Sequence, residues 1–378
     1  MLVNVHTLNT GDEIAQRSHE WLSLAAKLSQ EPPFCRPETW IPAMQSLLDP
    51  AAAEMSPAPQ AVIFELRDGG TLAGILPLYR KGRKLLTLSE NHIDYQDILA
   101  SNSHDACQLL KTAIDYAVKQ KLVFITGHVP EFNFLSDAIR KSLPLKDAWL
   151  CKRYFGVCVV ADFDLETPDG NGFLRVIPRR QRRKFNSSNN RIKAEDGNLE
   201  VLHLWGPEVT EADLEAIGQL HRENQQLRSG ESPFSDTFFT RYLWLQTQTQ
   251  KSFLLSLLKK DDELIAFCMG YGTENAFYYY ITDYDRKHAH LAPGGFLLIA
   301  TCKFVIDQFN PTHFRLDMLL GSEAYKTQWE TDHYYVDRIV IIPKALSLLP
   351  MAAAYHFAYS LKALKNRILR IGYFAESR

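Results

Sequence analysis

The sequence predicts an α+β (α/β) protein of two tandem domains, each with a mixed, mostly antiparallel central sheet. Three observations carry that prediction. Helices, then an antiparallel meander, then helix–strand–helix–strand is an order that occurs twice along the chain. The 378 residues are enough for two buried cores, and 46% hydrophobic with 23% charged residues is the balance of an ordinary globular protein. Residues 276–329 read as strand, Gly-rich loop, apolar helix and strand, the local pattern in which α/β folds gather chemistry.

In the first half, residues 10–29 form an amphipathic helix. Ile14, Trp21, Leu22, Ala25 and Leu28 share one face, and Thr10 with Glu13 can close a capping box. Pro37 suits the first turn of a second helix. AVIFEL and TLAGILPLY are strands joined by Arg67-Asp68-Gly69-Gly70, a hairpin signal. KLLTL adds a strand, 106–120 a helix, LVFIT a strand, 134–142 a helix and 153–160 a closing strand. The loop Pro168-Asp169-Gly170-Asn171-Gly172 separates a first domain at 1–165 from a second at 173–342.

The second half opens with helices at 179–194 and 210–229, and with one at 235–249 behind a Ser cap. FLLSLL and ELIAFCMGY form a hairpin, and AFYYYIT extends the meander. Pro293-Gly294-Gly295 then opens an apolar helix whose wet positions are Lys303, Asp307 and Asn310, and Pro311 stops it. A strand at 313–318, a short helical segment and YYVDRIVII complete the domain. Residues 343–378 form a basic amphipathic helical tail with Lys362, Lys365, Arg367 and Arg370, suited to weak contact with an anionic membrane or a synthase complex.

Composition narrows the function classes. A net charge of -2 gives no global attraction to nucleic acid, so DNA is not an expected partner. MLVNVHTLNTGDEIAQ lacks the blocks of a signal peptide, and no apolar run reaches membrane-spanning length, so a cytoplasmic location is expected. The cysteines lack a C-x-x-C pair and read as reduced core thiols. His288 and His290 are too sparse for a metal set, so no metal is expected.

The start of the apolar helix leaves backbone N–H groups unpaired, and the helix dipole adds positive potential there. Such a turn receives an anion, and its two glycines let a diphosphate come close. Arg286, Lys287 and His288 stand nearby as further donors. Beyond the next strand, LDMLLGSEAYKTQW places Asp317, Glu323, Tyr325 and Lys326 together. Asp317, among Leu316, Met318 and Leu319, is the candidate base, and Tyr325 a candidate acid for a leaving thiolate. Lys326 could hold an acidic acceptor or phosphate. His221 sits on a helix facing the strands, as a candidate on the substrate side. The cluster from Arg179 to Lys184, continued by Arg191 and Lys193, reads first as a solvated helix face, with Phe185 the only aromatic nearby.

YDRKHAHLAPGGFLL followed by FRLDMLLGSEAYKTQW resembles the closing signature of the Fem-like, CelD-type branch of the GNAT acyltransferases of cellulose and exopolysaccharide biosynthesis. Ala292 stands where that family usually has Ser, and Leu316 and Met318 replace the aromatics that usually flank the Asp. Gly321, Glu323, Tyr325 and Lys326 match. The resemblance implies a tandem GNAT-like acyl-CoA N-acyltransferase fold and acetyl-CoA or another acyl-CoA as co-substrate. It assigns Pro293, Gly294, Gly295 and Arg286 to the donor, Asp317, Tyr325 and Glu323 to catalysis, and Lys326 and His221 to the acceptor. The implied reaction moves an acyl group to an amine or hydroxyl of a sugar or amino-acid precursor, a small-molecule or glycan-precursor partner. The first domain has no glycine turn before its helix and is expected to shape the acceptor cleft only. Two other readings share the fold. One is an aminoacyl-tRNA-dependent Fem-type transferase, against which stands the lack of an inserted coiled-coil arm. The other is a catalytically silent scaffold for polysaccharide synthesis.

Overall fold

A computed structural model describes residues 1–28, 33–49, 58–88, 93–143, 145–228, 230–355 and 357–358. The four basic positions of the expected tail, from Lys362 to Arg370, lie outside the described residues. The chain forms two compact units, Met1–Gly156 with Tyr335–Arg378, and Val157–Tyr334.

The first unit opens with β1 (Leu2–Leu8), α1 (Gly11–Lys27) and α2 (Pro37–Leu47). The Thr10–Glu13 capping box forms as the sequence predicts. Then follow β2 (Gln60–Asp68), β3 (Thr71–Lys81), β4 (Lys84–Leu86), β5 (Leu99–Ala100), α3 (Ser103–Gln120), β6 (Val123–Ile125), β7 (Val129–Pro130) and α4 (Phe134–Lys141). β1 pairs antiparallel with β2, and β2 with β3 across a turn where Gly69 and Gly70 take φ of 55° and 90°. β4 and β6 run parallel, with α3 between them in sequence. Glu65 is buried in β2, where it accepts from Trp21 Nε1 at 2.9 Å and Arg67 Nη2 at 2.7 Å. A buried carboxylate needs such partners, and these ones pin α1 to the strand.

β8 (Ala148–Asp164) runs from the first unit into the second. There the chain continues through α5 (Gly170–Val176), α6 (Arg179–Ala194), β9 (Leu199–Trp205), α7 (Glu211–Leu227) and α8 (Thr237–Thr249). The cap of α8 is Asp236, whose side chain accepts from Phe238 N, and the expected Ser235 cap belongs instead to a preceding 3₁₀ turn. Next come β10 (Phe253–Lys260), β11 (Glu263–Gly272), β12 (Ala276–Tyr284), α9 (Pro293–Phe309), β13 (His313–Leu320) and α10 (Ala324–Thr327). The strand order in this unit is β8-β13-β12-β11-β10-β9, antiparallel except for the β12–β13 pair. α9 buries Phe296, Leu297, Cys302 and Val305 in one cluster with Leu254, Ile265, Phe277 and Leu316 from the strands. Each such side chain contributes on the order of 1.5–3 kcal/mol.

β14 (Asp332–Pro343) leaves the second unit. The sequence order allots YYVDRIVII to the second domain, but Val340 and Ile341 pair with Ile125 and Phe124 of β6, and Val336 pairs with Pro130 of β7. Ile339 and Ile341 complete the core of the first unit. Strand pairing across such a sequence separation leaves no local signal.

The register between β11 and β12 slips where Met269 faces Ile281 and Gly270 faces Tyr279, so Tyr280 is an extra residue that bends β12. Gly270 is required there: a Cβ would stand 2.0 Å from the Tyr278 carbonyl oxygen. Gly270→Ala should lower unfolding stability by about 1–3 kcal/mol in chemical denaturation. An unchanged midpoint would contradict this account of the bulge.

Candidate active site

β12 and β13 pair over three residues only, Ala276–Tyr278 against Arg315–Asp317. Beyond that point both strands bend away. β12 turns at its bulge. β13 turns where Leu319 adopts φ 53° and Gly321 φ 124°. The C-terminal ends of two parallel neighbours therefore part, and the edge of β12 toward β13 carries no ladder from Tyr279 on. A cavity of about 700 Å³ opens there, lined by Tyr279, Asp283, Gly294, Gly295, Tyr325 and Trp329, among others.

α9 begins at this opening. Its cap, Ala292, has no side-chain bond to offer and holds φ 50°, ψ 53°, a left-handed conformation that costs about 1–2 kcal/mol for a residue with a Cβ. α6 holds the turn in place. Ser188 Oγ donates to the carbonyls of Leu291 and Ala292, Arg191 donates to the carbonyl of His290, and Phe185 stacks on Phe296 at 5.3 Å. The first amide of α9 bonded back to the turn is that of Phe296, to Ala292 O at 3.4 Å. The Gly294 and Gly295 amides have no bond within the protein among the described residues, and both residues line the cavity. A Cβ on Gly295 would meet nothing within 4 Å, and one on Gly294 only Tyr284 at 3.7 Å. Room and donors coincide, which is what an anion at a helix start needs.

The other residues singled out by the sequence divide into two groups. Tyr325 lines the cavity, with its ring against Tyr279 at 6.5 Å. The residue is 45% exposed, but desolvation around the hydroxyl, with the nearby Glu323, pushes the phenol up to about 12 against a hydrogen bond from Tyr279, so it is protonated at neutral pH and able to donate. Glu323 is exposed, caps α10, and lies 3.3 Å from Lys326 Nζ. Lys326 is buried and donates to Leu320 O at 2.7 Å, bracing the bend after β13. Asp317 is buried away from the cavity lining. Its Oδ1 accepts from Leu319 N and its Oδ2 from the Tyr334 hydroxyl, both at 2.8 Å, so it secures the left-handed turn at Leu319. His221 is buried with Nδ1 2.8 Å from Ser232 Oγ, its basicity lowered by burial, and does not reach the cavity lining. Arg286 is exposed outside it.

Gln181, Lys184, Arg228 and Asp283 are among the lining residues that the sequence did not single out individually as site residues. Gln181 and Lys184 of α6 both bond to Gln328 Oε1, at 3.2 and 2.9 Å, and the face of α6 that carries them, with Arg191, borders the cavity. Arg228 follows α7 and meets Asp283 Oδ1 at 3.4 Å. Asp283 is the last residue but one of β12, is only 3% exposed, and has no hydrogen-bond partner at Oδ2 among the described residues.

In the first unit the comparable helix is shut. α3, between the parallel strands β4 and β6, starts at Asn102, whose side chain accepts from Asp105 N at 3.0 Å, while Asp105 puts a carboxylate at the helix start. A capped and acidic helix start does not receive an anion.

Burial lifts the Asp317 carboxyl to about 6, against the pull of Leu319 N–H, Tyr334, Arg315 and Lys326. A carboxyl raised in the folded state binds a proton on folding, so its contribution is full below its unfolded pKa of about 3.9 and is lost as pH rises through the folded value. Asp317→Asn should therefore gain on the parent between pH 4 and pH 7, by on the order of 2–3 kcal/mol in unfolding experiments. Parallel stability curves would contradict the buried placement.

Residues 179–327 match the family described as Acetyltransferase (GNAT) domain. A comparison with curated proteins finds no match. Among solved structures, FemX is similar with TM-score 0.58 at 12% identity, over 85% of this chain and 95% of that one. L-PGS from Bacillus licheniformis is similar with TM-score 0.53 at 13% identity, over 92% and 97%. A tandem GNAT protein from the clavulanic acid biosynthesis pathway is similar with TM-score 0.50 at 14% identity, over 91% and 100%. Identities this low speak for fold alone. The matched segment holds the parted strands and the bare helix start, and the fold is GNAT-like.

Proposed function

We propose that the second unit transfers an acyl group from an acyl-CoA, acetyl-CoA in the simplest case, to an amine or hydroxyl of a sugar or amino-acid precursor. The setting suggested by the CelD-type resemblance is bacterial envelope or exopolysaccharide assembly. The observation that carries this reading is the pair of unbonded Gly294 and Gly295 amides facing open space in the cavity. They suit the diphosphate of a thioester carrier, with Lys184 and Arg191 on the adjoining wall as counter-charges. The thioester arm would lie along the unpaired edge of β12, where extended backbone can hold it in line for attack. Tyr325, kept protonated by its surroundings, would supply a proton to the departing sulfur.

An aminoacyl-tRNA donor is the second reading. It is favoured by Arg179, Arg180, Arg183 and Lys193, exposed on the helix that also borders the cavity. Thermal-shift titration separates the readings. Acetyl-CoA at a hundredfold excess over its dissociation constant should stabilise the protein by about 2.7 kcal/mol. Gly295→Trp should abolish that shift while leaving the unliganded midpoint in place, because the position faces open space. Stabilisation by aminoacyl-tRNA alone would move the assignment to the second reading. No response to either would leave a silent scaffold.

A further inference from the structure

Three polar side chains gather near the start of α9 but outside the cavity lining, and acyl transfer gives them no task. Glu263 opens β11, Asp285 follows β12, and His288 lies in the 3₁₀ turn Arg286–Leu291 that leads into Ala292. The backbone brings them together: Asp285 N donates to Ile265 O at 2.7 Å, and His288 N to Asp285 O at 3.0 Å. A carboxylate oxygen of Glu263, one of Asp285 and a ring nitrogen of His288 all stand within 4.8 Å of one another. Few of their bonds are taken. Lys260, opposite Glu263 across the hairpin, is engaged by Glu195 at 2.7 Å. Asp285 Oδ1 accepts from Lys287 N at 2.9 Å, and its Oδ2 is 3.8 Å from the ammonium of Lys287, a side chain 79% exposed and so only weakly paired. His288 Nδ1 is shut off from water and has no hydrogen-bond partner among the described residues.

Two carboxylates this close repel each other, and a buried imidazole nitrogen left without a partner is costly. One cation relieves both, by neutralising the acidic pair and taking up the imidazole lone pair. We propose that Glu263, Asp285 and His288 bind one divalent transition metal, zinc in the first instance, which fastens the turn before α9 to the start of β11. The donor set selects the metal. Imidazole nitrogen with carboxylate oxygen suits zinc, whereas magnesium and calcium prefer oxygen alone. Bonds of about 2.0–2.2 Å put ligand atoms roughly 3.4 Å apart on a tetrahedral ion, so rotation of the exposed Glu263 closes the set and a water completes it. His290 is not a member, because its Nε2 faces Glu195 at 3.5 Å. The sequence expectation of no metal rested on His288 and His290 as a pair, while the partners of His288 come from β11 and the end of β12. α6 holds the carbonyls of residues 290–292, and the ion would hold residues 285 and 288 just ahead of them.

Calorimetric titration of the chelator-treated full chain with zinc chloride tests this, with cobalt(II) as a spectroscopic probe. The parent should bind one ion per chain, and zinc should raise its melting midpoint until EDTA reverses the gain. Glu263→Gln, Asp285→Asn and His288→Ala should each weaken zinc binding by at least about 10-fold, and His290→Ala should bind as the parent does. Asn at 285 can still cap the turn, and Glu263 is exposed, so those two variants should keep the parent's unliganded midpoint. Bound cobalt should show visible absorption without a thiolate charge-transfer band. Four results would overturn the assignment: no zinc bound by the parent, zinc bound equally well by Glu263→Gln and His288→Ala, a thiolate–cobalt band that puts the ion on a cysteine, or magnesium bound as tightly as zinc. None of these readouts involves acyl-CoA, so they stand apart from the transfer reading.

Discussion

The parting of β12 from β13 is the constraint on which the rest of the second unit turns. Two parallel strands paired over their whole length would close the sheet and leave the start of α9 facing a wall of side chains. Both strands are bent by local devices. In β12 the extra Tyr280 is accommodated because Gly270 lets the neighbouring backbone come close. In β13, Asp317 captures the Leu319 amide and Lys326 captures the Leu320 carbonyl, so polar side chains spend their bonds on a left-handed turn. The opening is thus maintained by buried hydrogen bonds, which cost several times more to break than surface contacts. α6 adds the third support by holding the three carbonyls that precede α9.

The two units show what separates a framework from a site. Each sets a helix between two parallel strands, and each buries that helix against its sheet. In the first, Asn102 and Asp105 satisfy the helix start and reverse its electrostatic preference. Gln96 and Asp97 are buried beside it, with Asp97 accepting from Phe134 N and Leu135 N to cap α4. Polar groups there are consumed by the fold. In the second unit a proline and two glycines leave amides unspent, and Asp283 keeps an oxygen unspent as well.

Much of this was legible in the sequence where the signal is local. The Thr10–Glu13 capping box, the Gly69-Gly70 turn and the strand–loop–helix–strand run around Pro293 all depend on residues a few positions apart. Of the strands the sequence did not reveal, β1 and β9 are partly exposed along most of their length, so their alternation lacks a clear apolar face, and β5 and β7 are only two residues long. The pairing of β14 depends on partners some two hundred residues away and could not be read from its own composition. Among site residues, residue type near a strand end drew attention to Asp317 and Lys326, but only the fold shows that their atoms serve the bend. Asp283 lies in a polar stretch that reads as loop, and its burial comes from α7 and the cavity wall. The basic helix α6 reads as a solvated face, yet Ser188, Phe185 and one of its cations, Arg191, tie it to the turn.

The central claim, that the Gly294 and Gly295 amides stand ready for a diphosphate, is open to direct measurement. Amide proton and nitrogen shifts of these two residues can be followed by NMR during titration with CoA. Saturable shifts at Gly294 and Gly295, larger than those of amides deeper in α9 and absent in Gly295→Trp, are the predicted result. Amides that stay unmoved while CoA binds elsewhere, or that do not respond at any CoA concentration, would contradict it.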